Sequence, residues 1–138
     1  MVTTVTASGE ELLDGVITKS YVYRLPEEGQ AEIKAFPVRA LWDTGSVCCL
    51  ITPGTAAKLG LKSLGKKENN TAAGPIYSNV YEMGLVIDGK IEIKHAYACE
   101  CYGGDRFDFV IGMSVIQLGN FSLYGKGKDR TMVFSIER

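Results

Sequence analysis

One short stretch of the chain carries residue types suited to acid–base chemistry: Leu41-Trp42-Asp43-Thr44-Gly45-Ser46. It sets a carboxylate inside a tight turn at the end of an apolar, β-rich run. Ile33, Ala35 and Pro37 to Trp42 read as a largely buried strand and Val47 to Ile51 as a second, so Asp43 is expected where two inner strands meet. An isolated charge is costly in a low-dielectric interior, so such an aspartate needs hydrogen-bond donors, a partner or a shared proton. The plainer alternative is a turn aspartate that caps its own loop.

The other reactive side chains point less clearly to chemistry. Cysteines occur as an adjacent pair, Cys48 and Cys49, and a spaced pair, Cys99 and Cys101. On a strand, neighbours face opposite sides while residues two apart share one, so only Cys99 and Cys101 could serve one metal. Zinc needs more ligands, and His95 is the only histidine. The preferred reading is four reduced cysteines packed as small apolar residues, with no metal and no cofactor.

The elements around Asp43 follow from length and patterning. With 138 residues the chain is read as one domain over residues 1–138, large enough to bury a core yet near the size where oligomerisation adds stability. Lys+Arg of 15 against Asp+Glu of 16, with no basic block, argues against a nucleic-acid or membrane-surface role. No run approaches the roughly 18 apolar residues of a membrane span, and Met1 to Gly9 lacks a leader pattern, so a cytoplasmic location is expected.

Met1 to Ser8 alternates valine and threonine and predicts a strand, at a sheet edge or paired with a partner subunit. Strand character at Val16-Ile17 and Tyr21 to Tyr23, after Asp14-Gly15, is followed by a turn at Pro26 to Gly29 and by the run from Ala31 to Trp42. Thr52 as N-cap, Pro53 at the first helical position and Gly60 as terminator predict a helix of about two turns. Lys62 to Asn70 reads as a solvated connection, and Thr71 to Pro75 as the small-residue tip of a hairpin continuing through Ile76 to Ile87. Asp88-Gly89 is a two-residue hairpin turn leading into Ile91 to Cys101, and Tyr102 to Asp105 is a loop. Phe107 to Gly112 predicts an apolar strand, Ser114 to Leu118 a short helix ended by Gly119-Asn120, and Phe121 to Tyr124 with Thr131 to Ile136 a last hairpin. Many short strands with two short helices indicate an all-β barrel or sandwich.

Two segments then match one family. Ala40 to Ser46 resembles the catalytic loop of aspartic proteases, and Phe109-Val110-Ile111-Gly112-Met113 with Val115-Ile116 resembles the apolar strand, glycine and helix late in each retropepsin-type subunit. The tip Thr71 to Pro75 lies where that family carries its flap, so the resemblance extends from about Ala31 to Phe121 by motif order. It implies a closed, barrel-like retropepsin fold with one or two short helices and one lobe per subunit.

The resemblance also implies a mechanism. Aspartic proteases use two carboxylates about 3 Å apart that share a proton, one activating water and the other protonating the substrate carbonyl. This chain has one Asp-Thr-Gly, and Asp14, Asp88 and Asp108 lack the surrounding loop, so the second carboxylate is expected from Asp43 of another copy, in a C2 homodimer acting on a peptide or protein. By resemblance, Thr44 would bond across the axis, Gly45 would permit the turn and donate its amide to the carboxylate, and Ser46 would bond the outer carboxylate oxygen. Ala72, Ala73, Gly74 and Pro75 would close over an extended substrate, with Ile76, Tyr77, Val110, Ile111 and Gly112 near the pockets; packing in the core is the equally open reading for the apolar ones among them. The alternative function is a catalytically inactive module of the same fold that dimerises or binds peptides. Trp42 is bulkier than expected before such an aspartate; it or Leu41 must pack under the loop, and a Trp42 crowding the axis would count against activity.

Overall fold

The computed structural model describes residues 1–9, 15–27, 34–102 and 105–137. The turn expected at Glu28-Gly29, the strand start at Ala31 to Ile33, Asp14, and Gly103-Gly104 of the Tyr102 loop lie outside them.

Among the described residues, ten strands and two α-helices follow one another as β1 (Val2–Ser8), β2 (Ile17–Tyr23), β3 (Ala35–Trp42), β4 (Cys49–Ile51), α1 (Pro53–Leu59), β5 (Lys66–Thr71), β6 (Gly74–Ile87), β7 (Ile91–Glu100), β8 (Phe109–Ile111), α2 (Met113–Ile116), β9 (Asn120–Tyr124) and β10 (Thr131–Glu137). One sheet runs β2-β3-β8-β4-β7-β6-β5, and an added β2–β6 pairing closes six of its strands into the expected barrel. Closure leaves the barrel strands without open edges, and β5 projects from β6 as one arm of a hairpin. The remaining strands form a separate sheet in the order β1-β10-β9. Of the two pairings expected for the first strand, this one lies within the chain, from Val2 opposite Glu137 to Ser8 opposite Thr131.

Period-two burial explains how the layers meet. Phe109, Ile51, Met83, Leu85, Ile87, Ile91 and Ile111 are fully buried among the barrel strands, and Val5, Met132 and Phe134 on the inner face of the terminal sheet. Trp42 bridges the two layers: it is 6% exposed, with its ring 5.0 Å from that of Phe134 and 5.6 Å from that of Phe121. Its Nε1–H donates to Thr18 Oγ1 at 3.0 Å, which satisfies the one polar atom of a buried indole. Trp42 therefore packs into the interior, opposite in direction to the half-buried Leu41.

The local signals acted as their chemistry requires. Thr52 Oγ1 accepts from the Thr55 amide, Pro53 occupies the first turn of α1, and Gly60 ends it at φ 67°, a left-handed conformation that costs glycine little. Asp88 and Gly89 both have positive φ, 50° and 66°, as the primed turn of a two-residue hairpin demands. Several boundaries differ from expectation: β4 begins at Cys49 rather than Val47, β8 is confined to Phe109–Ile111, and α2 ends at Ile116 rather than Leu118. Helix α2 starts at Met113 rather than Ser114 because Gly112 already serves as its cap, and Lys66–Thr71, expected as a solvated connection, is strand β5. Lys67 lies opposite Ser78 and Asn69 opposite Ile76, so cross-strand pairing with β6 makes the strand where its own composition does not.

Candidate active site

Asp43 leaves β3 on a loop that is fastened on three sides. Its amide donates to the Ile111 carbonyl of β8 at 3.0 Å, and its carbonyl accepts from the Ser46 amide at 3.2 Å, closing the turn. Further along, the Ser46 carbonyl accepts from Met113 N–H at 2.7 Å and the Val47 carbonyl from Ser114 N–H at 2.9 Å. The first amides of a helix have no partner within it, so the loop carbonyls fill the vacancies at the start of α2. This approach needs Gly112: a Cβ there would lie 2.2 Å from the Cys48 carbonyl oxygen and 2.9 Å from that of Ser46.

Within the loop, the Gly45 amide donates to Asp43 Oδ1 at 2.8 Å. Among the described residues it is the only hydrogen-bond partner of that carboxylate, and no second carboxylate of the same chain pairs with it. Asp43 is half-buried, while Thr44 and Gly45 are exposed. Ser46 differs from expectation: its hydroxyl proton goes to the Cys48 carbonyl, at 2.7 Å, and not to the aspartate. A hydroxyl has one proton to give, and here it braces the loop.

Beside this loop lies a cavity of about 800 Å³. Gly45, Ser46, Val47, Cys48 and Leu50 form one wall, Lys67 to Asn70 and Ile76 to Ser78 of the β5–β6 hairpin the facing wall, and Glu100, Cys101 and Tyr102 an end. Ile76 and Tyr77 are 48% and 67% exposed, apolar side chains on a two-stranded arm rather than in the core. Ala72 and Ala73 make the hairpin tip, and Gly74 with Pro75 begins β6. Ile111 is 0% exposed and belongs to the main core, so it does not line the cavity. Its neighbour Val110, the register partner of Leu41 and of the cavity residue Leu50, faces the other way from Ile111 but is 2% exposed and is not among the residues that line the cavity. Gly112 acts beneath the loop and not as a cavity wall. Sequence reasoning missed Lys67 to Asn70, whose signal was the small-residue tip that follows them and forces a hairpin partner for β6.

Among the described residues no three of His, Cys, Asp and Glu gather in a way that could hold a metal ion. Strand pairing instead brings Cys48 to Cys99, with its thiol directed at the Cys99 sulfur at 3.5 Å. Burial, then the bond to Cys99, pushes the Cys48 thiol up to about 11. His95 pairs with Glu82 at 3.0 Å on an exposed surface. No helix among the described residues is long and apolar enough to cross a membrane.

Comparison with known proteins identifies the family and the fold. A family model described as aspartyl protease matches residues 30–115. Among solved structures, the fold is similar to that of a retropepsin-like aspartic protease from Rickettsia conorii, with a TM-score of 0.64 and 15% identity over 99% of this chain and 93% of that one. A simian foamy virus protease in solution is 16% identical over 74% of this chain and 92% of its own, at a TM-score of 0.47. Among curated proteins none matches significantly. The barrel is thus a retropepsin-like fold.

Proposed function

Because the chain belongs to the aspartyl protease family, with the matching model spanning residues 30–115, we propose that it is an aspartic endopeptidase whose site is completed by a second copy of itself. The observation that carries this reading is the Asp43 loop: a carboxylate held by the Gly45 amide at 2.8 Å, at the edge of a cavity and with no carboxylate partner among the described residues. Two such loops meeting on a C2 axis bring two aspartates together. Like charges that close cannot both ionise, so the pair shares one proton. The ionised member takes a proton from water as it attacks the peptide carbonyl, and the protonated member gives its proton to the carbonyl oxygen.

The surrounding residues then have defined tasks. Gly45 aims the carboxylate and lowers the cost of its charge with a charge-assisted hydrogen bond. Thr44, exposed beside it, reaches the partner's loop. The β5–β6 hairpin acts as the flap, laying its backbone along an extended peptide as an added strand, with Ile76 and Leu50 offering apolar contact. A partner surface is available: β9 is the edge of its sheet, Leu123 and Tyr124 on it are 44% and 57% exposed, and Phe121 on the same strand stacks on Trp42 beside the loop.

Cleavage of a diverse peptide library from acidic to neutral pH, followed by mass spectrometry for wild type and Asp43→Asn, tests the reading. In the homodimer this substitution removes both carboxylates of the shared site, so turnover is expected to fall by at least about 10²–10⁴-fold. Equal cleavage by the two proteins would refute it.

A further inference from the structure

Cys99 is buried with the core residues, but its contact with Cys48 in the cavity wall has no part in the reaction. Parallel pairing of β4 with β7 sets Leu50 opposite Cys99, and Cys48, two residues before Leu50, faces the same side. The two sulfurs are 3.5 Å apart, Cys48 in the cavity wall and Cys99, 2% exposed, directly behind it. Cys49 faces away, its sulfur 3.7 Å from the Ser114 hydroxyl. A disulfide bond is about 2.05 Å long, so the pair needs only about 1.5 Å of closure.

We propose that Cys48 and Cys99 form a redox-responsive dithiol in the wall of the cleft, closed to a disulfide by small hydroperoxides, and that closure turns down the neighbouring Asp43 site. The Cys48 sulfur, in the cavity wall, reacts through the small thiolate fraction that its burial leaves and attacks a hydrogen peroxide oxygen; the S–O bond forms, the O–O bond breaks, and the leaving hydroxide departs as water with the thiol proton. The second sulfur attacks the resulting sulfenic acid, forming S–S and releasing the second water with its own proton. Two thiols and one peroxide give one disulfide and two waters; the sulfurs lose two electrons and the peroxide gains them. A dithiol reductant reverses the bond by exchange.

The link reaches the reaction through the backbone. The Cys48 carbonyl takes the Ser46 hydroxyl proton at 2.7 Å and abuts Gly112, so drawing Cys48 toward β7 strains the turn that carries Asp43. Misplacing reacting groups by about 1 Å costs on the order of 10²-fold, and a loss of at least about 10-fold is expected. This consequence rests on the proposed endopeptidase reading; the disulfide itself does not.

The test treats the reduced full chain with hydrogen peroxide. It maps the cross-link by peptide mass spectrometry after thiol blocking, then follows the unfolding midpoint and peptide cleavage before and after dithiothreitol. The expected result is a Cys48–Cys99 link, a reversible shift in midpoint and a reversible loss of cleavage, with Cys99→Ala keeping its activity under peroxide. A link elsewhere, oxidation to sulfinic acid without a link, or a link that leaves cleavage unchanged would overturn the proposal. If the mapped link forms in a protein that cleaves nothing in either state, the endopeptidase reading fails and the dithiol stands on its mapped, reversible chemistry.

Discussion

Gly112 and Cys48 touch backbone to backbone: a single Cβ on Gly112 would sit 2.2 Å from the Cys48 carbonyl oxygen, closer than real atoms approach. The start of α2 can therefore lie directly under the Asp43 loop, where Met113 and Ser114 donate to the Ser46 and Val47 carbonyls. Gly112→Ala must push the loop and helix apart. Overpacking of this kind costs typically about 1–3 kcal/mol, and chemical denaturation is expected to show it. Cleavage is expected to fall further than stability in the same variant, because the displaced segment carries Asp43.

Trp42 links the barrel to the terminal sheet and so connects the Asp43 strand to both chain ends. Trp42→Phe keeps most of the apolar contact with Phe121 and Phe134 but removes the donor to Thr18, which is 6% exposed. Thr18 keeps the Ser20 hydroxyl at 3.5 Å, so loss of the indole bond is expected to cost about 0.5–1.5 kcal/mol, seen as a lower denaturation midpoint. Trp42→Ala also opens a cavity and is expected to cost more, on the order of 3–5 kcal/mol.

Acid sensitivity has an identifiable source at the β3–β8 junction. Asp108 accepts from Arg39 through the backbone amide at 2.8 Å, Nε at 3.2 Å and Nη2 at 3.0 Å, and these bonds hold its carboxyl below the usual range. Its folded value is the lower one, so its contribution to stability is fully present above the unfolded aspartate value of about 3.9 and is lost as pH falls through the folded value. Asp108→Asn is therefore expected to be less stable than wild type at neutral pH, with the gap closing below about pH 4. Both side chains are partly exposed, at 54% and 30%, so added salt should narrow the gap at neutral pH as well.

Much of this architecture is legible in the sequence because local chemistry and global fold agree. Thr52, Pro53 and Gly60 bound α1, Asp88-Gly89 sets a hairpin, and the apolar run into Asp43 is a strand whose alternation sends Trp42 inward. What escaped depends on register. Periodicity says that Val110 and Ile111 face opposite ways, but only pairing with Leu50 decides that Ile111 joins the core. Lys66–Thr71 lacks an apolar face and becomes a strand only through its partner β6. Reasoning by neighbours paired Cys99 with Cys101, whereas the sheet order brings Cys99 to Cys48 from across the chain. The Ser46 hydroxyl is a choice between two nearby acceptors, which residue types do not decide.

In the proposed dimer one Asp43 is half a site, and subunit mixing tests this most directly. Wild-type protein held at fixed concentration is mixed with an equal amount of Asp43→Asn under conditions of subunit exchange, with masses recorded in solution. In a shared-site dimer, random pairing places about half of the wild-type subunits in mixed dimers that hold a single ionisable aspartate, so cleavage should fall to about half. Cleavage that stays unchanged while mixed dimers are present, or activity that sediments with a monomer, would contradict the account.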